Sequence, residues 1–164
     1  MTIYLASDHA GFELKKELID YLNSKGFETQ DLGPSHYDET DDYPDFIFPC
    51  ALRVAQGKPD DVGIVIGGSG QGEAMVANKV KGVRAVVYYG NPSTGTSAEL
   101  SRMSSGSDII RLSKEHNNAN ILALGARFLT TKEAIEAVDL WLSTKFTGEE
   151  RHIRRIEKIN KLEV

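Results

Sequence analysis

Glu73 stands in the segment "GGSGQGEAMVANK", directly after a glycine-rich loop and at the mouth of a helix-like pattern. Loops of this kind present backbone N–H groups that hold anions. A carboxylate placed there has two readings. It can move a proton beside an oxygen that becomes negative only during a reaction, or it can be a first-turn acid that helps to cap the helix. The spacing argues against two nucleotide binders. Gly67 and Gly72 have the outer spacing of a phosphate-binding P-loop, but Glu73 and Ala74 stand where lysine and Ser/Thr belong. Gly68 and Gly70 fit a dinucleotide fingerprint, yet Glu73 replaces its third glycine and the loop follows a third strand rather than a first.

Asp8 and His9, in "ASDHAGF", directly follow an apolar run and so belong at the carboxyl end of a strand. Asp8 can take part in chemistry or act as the N-cap of the next helix. His116 and Asn117, in "SKEHNNAN", precede the last apolar run, where a histidine is a cap, a surface residue or a functional group. His36 receives no role. The four histidines are scattered and the single cysteine has no partner at ligand spacing, so no built-in transition-metal site is expected. Arg151 and Arg155, with Arg154, share one side of a helix. They can grip a phosphate or form a solvated face with Glu149 and Glu150. Ile153, Ile156, Ile159 and Leu162 give the same segment an apolar surface, for which a partner subunit is the expected cover. Cys50 reads as a small buried residue rather than a nucleophile.

These groups must be positioned by an alternation of β-type runs and helix-periodic segments, the mark of an α/β fold with a mainly parallel sheet covered on both faces. Strands are expected at Thr2–Ala6, Phe27–Leu32, Val62–Ile66, Val83–Tyr89 and Asn120–Gly125. Helices are expected around Phe12–Leu22 with a stop at Gly26, over Asp45–Gln56, after the glycine loop, over Ile109–Asn118 and Thr131–Phe146, and over 147–164. Residues 1–164 read as one domain. The formal charge of −5 argues against a general nucleic-acid or membrane-surface binder. One cysteine fits a reducing compartment, and without a leader or long apolar run the expected location is the cytoplasm.

Taken together, "SDHAGF", "GGSGQGEAMVANKVKGVRA", "LSKEHNNANILALGAR" and "ERHIRRIEKI", in that order over nearly the whole chain, resemble the ribose-5-phosphate isomerase B family, which includes the galactose-6-phosphate isomerase subunits. The resemblance implies a three-layer Rossmann-like α/β/α fold and a metal-independent aldose–ketose isomerase without a cofactor. It also implies a homodimer or dimer of dimers whose active sites are shared between subunits. Some members carry a cysteine base at the position of Gly67; this chain is similar to the branch whose base is the glutamate at Glu73. By the same resemblance Ser69 assists proton movement, and His116, alone or with Asp8, opens the sugar ring. Gly68, Gly70, Gly72 and Asn117 hold the developing oxyanion, Tyr43 lines the substrate site, and His9, Arg127, Arg151 and Arg155 hold the phosphate. Ribose 5-phosphate and ribulose 5-phosphate are the implied substrates, with a hexose or tetrose phosphate, or mere sugar-phosphate or nucleotide binding, as alternatives. The segment Gly90–Asp108 is longer than the family's connection. It reads as a surface loop, or else as a lid or interface element.

Overall fold

The computed structural model of the chain describes residues 1–90 and 106–162. The β-type runs form five strands: β1 (Thr2–Ser7), β2 (Glu28–Asp31), β3 (Val62–Gly67), β4 (Ala85–Tyr88) and β5 (Ile121–Gly125). All pairings are parallel and the order is β2-β1-β3-β5-β4. The helices are α1 (Phe12–Ser24), α2 (Pro44–Gln56), α3 (Gln71–Ala77), α4 (Gly106–Glu115), α5 (Thr131–Ser143) and α6 (Glu150–Asn160).

The two-residue period of the strands divides the core into two layers. Ile3, Leu5, Ile64, Ile66, Leu122 and Leu124 face one way and pack with Leu18 of α1, Ile110 of α4 and Trp141 of α5. Tyr4, Ala6, Val65 and Ala123 face the other way, against Ile47, Cys50 and Val54 of α2 and Ala74 and Ala77 of α3. β3 is buried at every position, as a strand covered on both faces must be. Each fully buried large apolar side chain stabilises the fold by roughly 1.5–3 kcal/mol. The three-layer expectation is met.

Boundaries differ where side chains compete with the ladder. The fourth strand starts at Ala85 because the Arg84 N–H donates to the Asn120 side chain at 2.7 Å. Gly106–Asp108, expected in the loop, belong to α4; the rest of that excursion, residues 91–105, lies outside the described residues. The last helix, expected over 147–164, covers Glu150–Asn160 and is followed by a turn at 161–162, residues 163 and 164 lying outside the described residues; its start is later because Thr147 is tied elsewhere. Its N–H and Oγ1 both donate to the Glu115 carbonyl, at 3.2 and 2.9 Å. Along α6 His152 is buried, whereas Ile153, Ile159 and the following Leu162 are 41%, 47% and 79% exposed. Among the described residues no helix is long and apolar enough to cross a membrane.

Candidate active site

The strand order reverses between β1 and β3, since β2 lies to one side of β1 and β3 to the other. In open parallel sheets the crevice at such a switch point, beyond the carboxyl ends of the strands, is where ligands bind. Asp8 turns the chain out of β1. Its Oδ1 accepts from the N–H groups of Ala10 (3.0 Å) and Gly11 (3.2 Å), starting a single 3₁₀ turn over His9–Gly11. The capping geometry of Asp8 is therefore present. Gly11 lets this turn close onto the sheet, because a Cβ there would stand 2.5 Å from the Ile66 carbonyl oxygen. His9 is thereby held beside the loop that leaves β3.

That loop is short and tightly folded. Gly70 has φ 77°, a left-handed conformation that glycine adopts without steric cost, and it caps α3. Ser69 Oγ accepts from the Gln71 N–H at 3.3 Å. The Gly67 and Gly68 carbonyls accept from Ala126 and Arg127 N–H at 2.8 and 3.1 Å, which ties the loop to the end of β5. Glu73 lies in the first turn of α3 and is only 4% exposed. A side-chain carbon at position 67 would overlap its carboxylate, so the glycine at 67 makes room for the glutamate. Gly72 similarly admits the Tyr43 ring, and the Arg127 guanidinium lies over Gly68. Burial raises the proton affinity of Glu73 above the ordinary carboxylate range. The charge of Asp8 adds to this, while the backbone N–H groups of Glu73 and Gly70 oppose it.

The result is a cleft of about 320 Å³ lined by Asp8, His9, Tyr43, Gly68, Ser69, Gly72, Glu73, Arg127 and Phe128, with Gly70 shaping the loop. It holds a buried carboxylate beside a histidine and a guanidinium, a combination suited to moving a proton on an anionic substrate. One carboxylate here was not singled out from the sequence. Asp41 Oδ1 accepts from both the backbone N–H of His9 (2.9 Å) and its Nδ1 (2.7 Å).

The remaining residues expected to serve the site lie at the other edge of the sheet. His116 and Asn117 precede β5, whose five residues span about 16 Å, whereas Arg127 follows it. The His116 ring stacks on His152, with centroids 4.2 Å apart and planes 14° from parallel. His152 is 2% exposed; its Nε2 has no hydrogen-bond partner and lies 3.9 Å from Glu149 Oε2. Burial, and then the neighbouring His116, lower its proton affinity. Arg151 Nε donates to Glu149 Oε2 at 2.7 Å, realising the solvated pairing for that arginine, and Arg155 is exposed. The Asn117 carbonyl accepts from Arg84 Nε at 3.0 Å, and Asn117 borders a groove of about 540 Å³ with Lys79, Val83, Ile159 and Leu162. The sequence-derived site is thus divided between two places in one chain. Cys50 belongs to neither: it is buried, and burial pushes its thiol up to about 12, which removes it as a nucleophile.

Comparison with known proteins concerns the chain as a whole. A family model described as Ribose/Galactose Isomerase matches residues 3–159. The probable ribose-5-phosphate isomerase B of Mycoplasma genitalium is 44% identical over 98% of this chain and 95% of its own length. The ribose-5-phosphate isomerase B of Mycobacterium tuberculosis is 40% identical over 96% and 86%. The crystal structure of the Mycoplasma genitalium enzyme with bound ribulose-5-phosphate superposes with a TM-score of 0.86 at 41% identity, covering 99% of this chain and 95% of that one. The Clostridium thermocellum enzyme gives 0.84 at 42% identity, covering 99% and 97%. With matches of this extent, the chain belongs to the ribose/galactose isomerase family.

Proposed function

We propose that the chain is a metal-independent aldose–ketose isomerase that interconverts D-ribose 5-phosphate and D-ribulose 5-phosphate. The observation that carries this reading is Glu73, a buried carboxylate of raised proton affinity facing the same cleft as His9 and Arg127. A proton on the carbon next to a carbonyl is only weakly acidic. A base must therefore work together with groups that hold the negative oxygen it creates. Once the furanose ring is open, Glu73 takes the proton from C2, and the electrons move onto O1 to form a cis-enediolate. The amides of the Gly68–Gly72 loop, with Asn117, stabilise this charge. Ser69 carries a proton between O1 and O2, and Glu73 returns its proton to C1, leaving the ketone at C2. His116 and Asp8 open the ring by protonating the ring oxygen and taking the proton from the C1 hydroxyl. His9, Arg127, Arg151 and Arg155 hold the phosphate, and Tyr43 closes the side of the cleft. The phosphate contacts orient the reacting carbons without taking part in the chemistry.

Because His116, Asn117, Arg151 and Arg155 lie at the opposite edge of the sheet, the complete site takes them from a second copy of the chain. The uncovered apolar residues of α6 support such a homodimer. A reducing cytoplasm suits the lone Cys50. The test is isomerisation of ribose 5-phosphate by the purified protein in EDTA, with allose 6-phosphate and galactose 6-phosphate alongside. Fast, chelator-insensitive turnover of the pentose is expected. A preference for a hexose would overturn the substrate assignment but keep the proton transfer, and no turnover of any of the three would overturn the reading.

A further inference from the structure

We propose that Asp41 is a positioning residue: it fixes the ring of His9 so that Nδ1 is engaged from behind and Nε2 is left as the donor that meets the phosphate. The inference rests on the isomerase reading for the identity of the ligand. Its geometric basis is a two-point grip. Asp41 Oδ1 holds both the backbone N–H and the ring Nδ1 of His9, so that turn and ring rotation are set together. The carboxylate is 7% exposed, against 28% for the His9 side chain, and its Oδ2 is buried with no hydrogen-bond partner. A buried carboxylate with one oxygen unpaired needs a cation close by, and the His9 ring is the ion-pairing group in contact with it. Charge on the ring is therefore favoured by the fold before any substrate arrives.

The loop between β2 and α2 is built to hold Asp41 in place. At its start the buried Lys15 ammonium donates to Asp31 Oδ1 and to the Pro34 carbonyl, both at 2.7 Å. Further on, Asp38 Oδ1 accepts from Thr40 N–H and Oγ1, while the Asp41 N–H donates to the Asp38 carbonyl. Among the charged groups around the ring, Asp8 from its own turn and Asp38 and Asp41 from this loop favour the same state, and Arg127 opposes them from the end of β5; Glu73 lines the same cleft. The Tyr37 ring stands edge-on at 6.4 Å. Accordingly the proton affinity of His9 is raised, first by the Asp41 hydrogen bond, against the effect of burial.

Asp41→Asn keeps the shape and an acceptor for Nδ1 but removes the charge. At pH 7.5 the KM for ribose 5-phosphate should rise about tenfold, the inhibition constant for inorganic phosphate should rise in parallel, and kcat should stay within about twofold. The pH at which KM climbs should move down toward the ordinary histidine value, and Asp41→Glu should move it back. In a His9→Gln background Asp41→Asn should add no further loss of phosphate affinity. A purely structural Asp41 would instead lower the melting temperature and change kcat and KM equally at every pH. In the wild-type protein, nitrogen NMR of His9 should show a protonated Nδ1 and a titration midpoint above 6.5. A midpoint at or below that value overturns the inference, as does an Asp41→Asn protein with unchanged midpoint and phosphate affinity. The two failures are distinct: wild-type protein that binds phosphate through His9 but isomerises no sugar phosphate overturns the isomerase reading alone.

Discussion

In the cleft at the carboxyl edge of the sheet, polar side chains are tied down within their own chain: Asp8 to Ala10 and Gly11, Ser69 to Gln71, His9 to Asp41. At the amino edge His116 rests on His152, whose Nε2 has no hydrogen-bond partner, and α6 leaves Ile153 and Ile159 uncovered. The first region is held by short turns packed on buried strands. The second is held by the ring stack, by the Thr147 bonds to the Glu115 carbonyl and by Arg84 on the Asn117 and Asn118 carbonyls, next to a helix with exposed apolar residues. Local stability follows such differences, so α6 is expected to open more readily than the buried strands.

The largest expected effect tests whether the cleft holds the chemistry. Glu73→Gln should lower kcat by about 10²–10⁴-fold without lowering the melting temperature. The sign follows from its raised proton affinity. Folded Glu73 keeps its proton to higher pH than the unfolded chain does, so stability falls as pH rises through that window and the charged state is the costly one. Glutamine removes that cost, and thermal melts at pH 5 and pH 8 should show the variant gaining most at the higher pH. Turnover near the wild-type rate would detach the base role from Glu73.

A second, smaller signal would sharpen the contrast between the two edges. Glu73→Gln and His116→Ala should each be nearly inactive alone, yet co-expressed and mixed subunits should regain about a quarter of wild-type activity. Half of randomly assembled dimers are mixed, and each mixed dimer has one intact site of two. No recovery would mean that the two edges do not complete one another across subunits. The smallest effect concerns pH. His152 binds a proton less readily folded than unfolded, so its contribution to stability is present above about 6.5 and is lost as pH falls below it. Once the intrinsic pH dependence of exchange is divided out, amide protection in α6 should fall between pH 7.5 and 5.5 before it does in β3, and His152→Phe should abolish that pH dependence.

The same contrast explains what could be read in advance. β3 was legible because a strand buried on both faces must be apolar throughout, and "VGIVIG" is. Glu73 stands out because a carboxylate breaks the pattern of anion-binding loops, and its burial at the cleft depends on the glycine at 67. Strand order was not legible: the swap that puts β5 beside β3 depends on contacts between distant segments. Asp41 is one acid among several in "DETDDY", and nothing in that run says which one folds back onto residue 9. His152 sits among arginines on a polar helix, and its burial arises from a ring elsewhere in the chain.

The overlap between a side chain at 67 and the carboxylate at 73 has a consequence for substitution. Two positions six residues apart share one volume, so a change at either is felt at the other. A side chain arriving at 67 would require the carboxylate to turn away, and a shorter residue at 73 would leave the space it needs. The two positions are therefore expected to tolerate a paired exchange better than either change alone, which the single and double variants would show.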